Sequence, residues 1–209
     1  MPGPGRTGVL FDVDGTLVDA VANQRRLWGL WADLFGLDGE QVYAVALRTR
    51  PADTVADFLP PQARADALAQ FQRLEDDDVR EGDYRAFAGA DRLLGELEVG
   101  RWALVTANLR RRVEGRFRRL QLPIPAVIVD AESTARGKPD PEPYLAAATA
   151  LQIEPSRCLV VEDSRSGVSA GIAAGMTVWS VNSRIPPGGA HRHFPTLAEA
   201  AADIIRFLS

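Results

Sequence analysis

Apolar and polar positions along the chain follow two rhythms. Five short apolar runs, at residues 9–11, 102–106, 126–129, 158–161 and 177–181, each end against polar or turn residues. Such runs are expected of strands covered on both faces of a sheet. The stretches 90–98, 110–120, 142–151, 166–174 and 197–207 instead place apolar residues at helical spacing. Strand and helix alternate from about residue 85 onward, which predicts a parallel sheet with helices packed on both faces.

One block breaks the alternation. Residues 21–35, 40–48, 51–58 and 61–79 read as consecutive helices with no strand between them. The fold class expected is α/β: a Rossmann-like parallel sheet carrying an inserted all-helical domain. Residues 1–19 and 85–209 form the sheet-bearing core and residues 20–84 the insert. At 209 residues the chain has room for both.

Composition changes this picture little, except by exclusion. Hydrophobic residues are 46% and charged residues 25%, as in ordinary globular chains. A net charge of −4 argues against nucleic acid as a partner. The basic cluster Arg110, Arg111, Arg112, Arg116, Arg118 and Arg119 is read as a solvated helix face. Cys158 is the single cysteine and sits in an apolar run, so it is expected to be a buried free thiol. No apolar run is long enough for a membrane span and the N-terminus lacks a signal-like apolar stretch, so the expected location is cytoplasmic, as a monomer or dimer.

Chemistry enters where the strands end. Asp12 and Asp14 follow the first strand, Thr106 and Asn108 the second, and Glu162 and Asp163 the fourth, while Lys138 lies in the loop after the third. In a parallel sheet these ends share one edge, the usual place for ligands. Clustered carboxylates repel unless a cation joins them, and hard oxygen donors with room for phosphate suit Mg²⁺. A hydroxyl at Thr106 and an ammonium at Lys138 would steady phosphate oxygens, and phosphoryl transfer depends on such positioning. Lys138 is the only lysine among 24 basic residues. A compact ammonium, rather than a planar guanidinium, is what a tight phosphate site would require. Asp12 and Asp14 stand two apart on an extended segment, so they share a side and could divide nucleophilic and proton-transfer roles.

The motif Asp12-Val13-Asp14-Gly15-Thr16-Leu17-Val18-Asp19, the strand-ending Thr106, the run Gly137-Lys138-Pro139-Asp140-Pro141, and Glu162-Asp163-Ser164 followed by Gly167 and Gly171 together resemble the haloacid dehalogenase superfamily. More narrowly, they are similar to its sugar-phosphate and polyol-phosphate phosphatases and to relatives of β-phosphoglucomutase. The resemblance implies Asp12 as nucleophile, Asp14 as general acid and base, and Thr106 and Lys138 as phosphoryl ligands. It implies Mg²⁺ held by Asp12, Asp163 and the Asp14 backbone carbonyl, with Glu162 supporting the metal. It also implies a helical cap that selects a small phosphate ester, with Asn108, Arg50, Arg48 and Thr16 as substrate-binding candidates. Thr16 and Asp19 further read as the hinge into that cap. The sequence departs from the family in the insert, where Ala46-Leu47 stand in place of the His-Gly that commonly precedes the cap arginine. A hexose-phosphate mutase is the enzymatic alternative, disfavoured by Thr16 and by Thr106-Ala107-Asn108. A non-catalytic sugar-phosphate binding protein is the other alternative, disfavoured by the intact acidic and basic set.

Overall fold

A computed structural model describes residues 5–47 and 49–209. The chain divides into two compact units, one holding the chain up to Asp19 together with Arg85–Ser209, the other Ala20–Tyr84.

The first unit is built on a six-stranded sheet. Strands β1 (Gly8–Phe11), β4 (Trp102–Val105), β5 (Val127–Val129), β6 (Cys158–Glu162), β7 (Thr177–Val181) and β8 (Arg192–Phe194) lie in the order β5-β4-β1-β6-β7-β8. Every pairing is parallel, so all the C-terminal ends open on one edge. β1 lies between β4 and β6 and is buried along its whole length, which is why its sequence is an unbroken apolar run. Helices α5 (Ala90–Glu96), α6 (Arg110–Arg119), α7 (Glu142–Leu151), α8 (Arg165–Ala173) and α9 (Leu197–Leu208) belong to the same unit. Under β1, β4 and β6, a core of Leu10, Val105, Tyr144, Ala147, Val160, Val168 and Val178 joins the sheet to α7 and α8. Gly171 lets α8 approach closely, because a Cβ there would stand 2.8 Å from Val178 and 3.2 Å from Val160.

The sequence pattern predicts five strands and the structure adds a sixth. β8 shows no apolar run because it is a three-residue edge strand of Arg192-His193-Phe194, held by one neighbour, with only Phe194 buried. A two-stranded ribbon, β2 (Val18–Asp19) with β3 (Arg85–Ala86), was likewise too short to show a period. It joins the points where the chain leaves and re-enters the sheet-bearing unit.

The arginine cluster also differs from expectation. Arg112 is 3% exposed and Arg116 fully buried. They fall on the stripe that Val113 and Phe117 define, so helical periodicity carries them inward with those apolar neighbours.

The second unit contains α1 (Val21–Leu34), α2 (Gly39–Ala46), α3 (Pro51–Phe58) and α4 (Pro61–Glu81). Leu27, Trp28, Trp31, Val42, Val55, Ala67 and Phe71 form its core, with Trp28 stacked on Phe71 at 3.7 Å between ring centroids. Trp31 Nε1 donates to the Ala67 carbonyl at 2.8 Å, so the indole is buried without an unsatisfied donor. Asp38 caps α2 by accepting from the Glu40 and Gln41 amides. No helix among the described residues is long and apolar enough to cross a membrane.

Candidate active site

The end of β1 fixes the first site residue. The Asp12 amide still bonds to the Val161 carbonyl at 3.0 Å, so its side chain leaves the sheet at a position set by β6. Beyond it the chain turns at Gly15, where φ is +96°, a conformation that glycine adopts without a Cβ penalty. A Cβ at Gly15 would also stand 2.1 Å from Asp163 Oδ2. The turn is held by amides of Thr16, Leu17 and Val18 on the Val13 carbonyl, and by Asn182 Nδ2 on the carbonyls of Gly15 and Thr16 at 2.9 and 3.0 Å.

Lys138 reaches the same place from the loop after β5. Its Nζ donates to Asp12 Oδ1 at 2.7 Å, Glu162 Oε1 at 2.6 Å and the Val105 carbonyl at 3.0 Å. The last contact ties the ammonium to the residue preceding Thr106. Burial lowers the proton affinity of Lys138, but the two carboxylates outweigh it and hold its pKa well above the ordinary value, so the ammonium stays charged.

Glu162 is fully buried and its carboxylate is saturated. Oε1 accepts from Lys138 and from the Tyr144 hydroxyl at 2.9 Å, and Oε2 accepts from the Asp163 amide, the Ser164 amide and Ser164 Oγ. Burial pushes this carboxyl up, but Lys138 and the Ser164 donors prevail and hold it below the usual range. Ser164 also caps α8 by accepting from the Gly167 amide. Gly167 must lack a side chain, because a Cβ would fall 1.6 Å from Glu162 Oε1. A satisfied, buried glutamate of this kind suits orientation of Lys138 and of the Asp163 backbone better than direct metal ligation.

Oxygens of Asp12, Glu162 and Asp163 lie within 4.8 Å of one another. Burial pushes Asp12 up to about 7 despite Lys138. Burial, followed by repulsion from Asp12 and Glu162, pushes Asp163 up to about 8. Asp12 Oδ2 is buried and has no hydrogen-bond partner among the described residues. An unsatisfied carboxylate oxygen beside a second strained carboxylate fits a small divalent cation with hard-oxygen preference, such as Mg²⁺.

The remaining candidates separate. Thr106, buried at the end of β4, bonds through its amide to the Val129 carbonyl, and its Oγ1 accepts from the Asn108 amide at 3.0 Å. Asn108 turns its side-chain oxygen back to the Leu109 amide at 2.8 Å, where α6 begins. Asp130, which follows β5, accepts from the Arg110 amide at 2.9 Å and so supplies the cap that α6 lacks in its own sequence. Thr16, a substrate-binding candidate from the sequence, is fully buried, with Oγ1 3.4 Å from Asp163 Oδ1. In the helical unit the Arg50 carbonyl accepts from the Thr54 amide and hydroxyl at the start of α3. Arg48 lies outside the described residues.

Three residues with a part in this arrangement were not singled out from the sequence: Tyr144, Asn182 and, as an inward-facing group, Arg116. Only Arg116 left a signal, its place on the Val113–Phe117 stripe. Arg116 Nη1 donates to Asp14 Oδ1 at 2.6 Å.

Residues 7–175 match the haloacid dehalogenase-like hydrolase family. The chain belongs to that family. It is 39% identical over 179 residues to hexitol phosphatase A of Escherichia coli (strain K12), covering 84% of this chain and 83% of the relative. It is 31% identical over 185 residues to glycerol-1-phosphate phosphohydrolase 2 of Saccharomyces cerevisiae, covering 81% and 72%. Among solved structures, CbbY of Rhodobacter sphaeroides in complex with phosphate aligns with a TM-score of 0.80 at 26% identity, over 93% of this chain and 96% of that one. This haloacid dehalogenase-like chain is thus a hydrolase of the phosphatase type, and its sheet edge presents the acidic cluster and lysine anticipated from the motifs.

Proposed function

We propose that the protein hydrolyses small phosphate monoesters of the sugar, polyol or glycerol phosphate class through an aspartyl-phosphate on Asp12, with Mg²⁺ as cofactor. The observation that carries this reading is the state of Asp12. One oxygen is fixed by Lys138 and the other is buried without a hydrogen-bond partner among the described residues. A carboxylate so placed is oriented and has an oxygen to offer to phosphorus or to a metal.

Asp12 and Asp163 carboxylates, together with the Asp14 backbone carbonyl, would hold the metal, with Glu162 behind them. When bound, Mg²⁺ would neutralise charge on the phosphoryl oxygens and the nucleophile. In the first step an Asp12 oxygen bonds to phosphorus as the ester P–O bond breaks, and Asp14 gives its proton to the departing alkoxide. In the second, Asp14 takes a proton from water as the water oxygen bonds to phosphorus. The bond to Asp12 breaks and inorganic phosphate leaves. Lys138 and Thr106 steady the phosphoryl oxygens. Arg50 is proposed as a specificity residue and Asn108 as a further phosphate or substrate contact.

Phosphate release from glycerol phosphates, hexose and hexitol phosphates and phosphoglycolate, with Mg²⁺ present, tests the assignment. Turnover concentrated on polyol or sugar phosphates is expected. Conversion of a glucose 1-phosphate to glucose 6-phosphate without phosphate release would contradict hydrolysis and establish a mutase.

A further inference from the structure

The geometry points to Arg116 as a positioning residue for Asp14, fixing the carboxylate that carries the proton in the reaction. The inference rests on the proposed proton-transfer role of Asp14.

Arg116 is an unusual choice for its site. α6 displays Arg110 and Arg118 toward solvent, where they pair with Glu114 at 2.8 and 2.7 Å, and carries Arg112 and Arg116 inward. Arg116 instead lies on the inward stripe with Val113 and Phe117 and has no exposed surface. Burying a guanidinium is costly, and well-packed apolar residues often replace buried ion pairs without loss of stability. Packing of α6 therefore gives no reason for a cation here. Its Nη1 lies 2.6 Å from Asp14 Oδ1, while the Asp14 side chain keeps 24% exposure.

The backbone around Asp14 is already held. Amides on the Val13 carbonyl, the Gly15 amide on the Val18 carbonyl at 2.8 Å and the Asn182 amide on two carbonyls fix the turn. What these bonds leave free is rotation of the Asp14 side chain. A planar guanidinium anchored in the core, bonded to one carboxylate oxygen, removes that freedom while the partly exposed carboxylate can still meet a leaving group or a water. Holding a proton carrier within reach of the reacting atom is a recognised source of rate.

The test is a double-mutant cycle on the full-length protein with Mg²⁺ and p-nitrophenyl phosphate. Arg116→Met is expected to lower kcat by about tenfold to a hundredfold, with KM changed less than about twofold, and Arg116→Lys to recover part of the loss. In an Asp14→Asn background, Arg116→Met should lower kcat by less than about twofold further, because the group it positions no longer carries a proton. Equal losses in both backgrounds would show a merely structural role and overturn the inference, as would wild-type kcat in Arg116→Met. Should Arg116→Met not fold, the cycle with Arg116→Lys decides by the same criterion. Absence of Mg²⁺-dependent turnover in the parent protein overturns the phosphatase reading and this inference with it, whereas an active parent with uncoupled losses overturns this inference alone.

Discussion

Tyr144 donates its hydroxyl to Glu162 Oε1 at 2.9 Å, the same oxygen that receives Lys138 Nζ at 2.6 Å. Both Tyr144 and Glu162 are fully buried. The tyrosine lies on α7, the first helix after the lysine-bearing loop, so helix packing and the charge arrangement of the site are joined through one hydroxyl. Tyr144→Phe keeps the ring and removes that donor. It should lower unfolding stability by about 1–2 kcal/mol, since Lys138 still serves the oxygen, and urea unfolding followed by circular dichroism measures it. An unchanged midpoint would mean that the hydroxyl adds nothing.

Two glycines should respond oppositely to alanine. At Gly167 a Cβ falls 1.6 Å from Glu162 Oε1, whereas at Gly95, exposed on α5, nothing lies within 4 Å. Gly167→Ala should cost about 2–4 kcal/mol by overpacking and by displacing a buried carboxylate. Gly95→Ala should stabilise by about 0.5–1 kcal/mol through helix propensity. Thermal unfolding of the two variants beside the parent checks both signs.

Lys138→Arg retains charge but not shape. The ammonium serves three oxygens within 3.0 Å in a pocket that leaves it 9% exposed, and a planar fork cannot reproduce those directions in that space. A fall in kcat/KM of about a hundredfold or more is expected. Near-parental activity would remove the argument drawn from the single lysine.

Removal of metal should expose the strain among the carboxylates. Asp12 at about 7 and Asp163 at about 8 both lie above the ordinary aspartate value of 3.8. The folded state then binds more protons at these two groups than the unfolded state does, so the stability they contribute is fully present below about pH 4 and is lost as pH rises through 7 and 8. Protein treated with a chelator should therefore lose stability from pH 5 to pH 8. Added Mg²⁺ should restore it most at the upper end, where the ligands are ionised. Unfolding midpoints with and without Mg²⁺ at pH 5, 6.5 and 8 give the slope. A rise with pH in the chelated protein would contradict it.

Much of the sheet could be read from residues alone, because strands buried on both faces must be apolar runs and the helices between them keep a 3.6-residue period. The edge strand Arg192–Phe194 escaped because one-sided pairing imposes no such pattern. In the site, Asp12, Lys138, Glu162 and Asp163 were recognisable as polar residues at strand ends, and they do converge. Tyr144 was indistinguishable from a core aromatic, since its hydroxyl bond depends on which glutamate the fold brings near. The left-handed backbone of Asn182, φ +60°, and its bonds to Gly15, Thr16 and the Leu197 amide arise only when β7, the Gly15 turn and α9 meet. Composition predicts a solvated arginine face, whereas helical phase sets the inward direction of Arg116.

Asp12 is the residue proposed to take the phosphoryl group. Phosphate release from a hexitol phosphate, measured for the parent and for Asp12→Asn with Mg²⁺ and with chelator, tests it most directly. Metal-dependent turnover is expected in the parent, reduced to background in Asp12→Asn while the variant stays folded. Turnover that persists in Asp12→Asn, or that ignores the chelator, would contradict it.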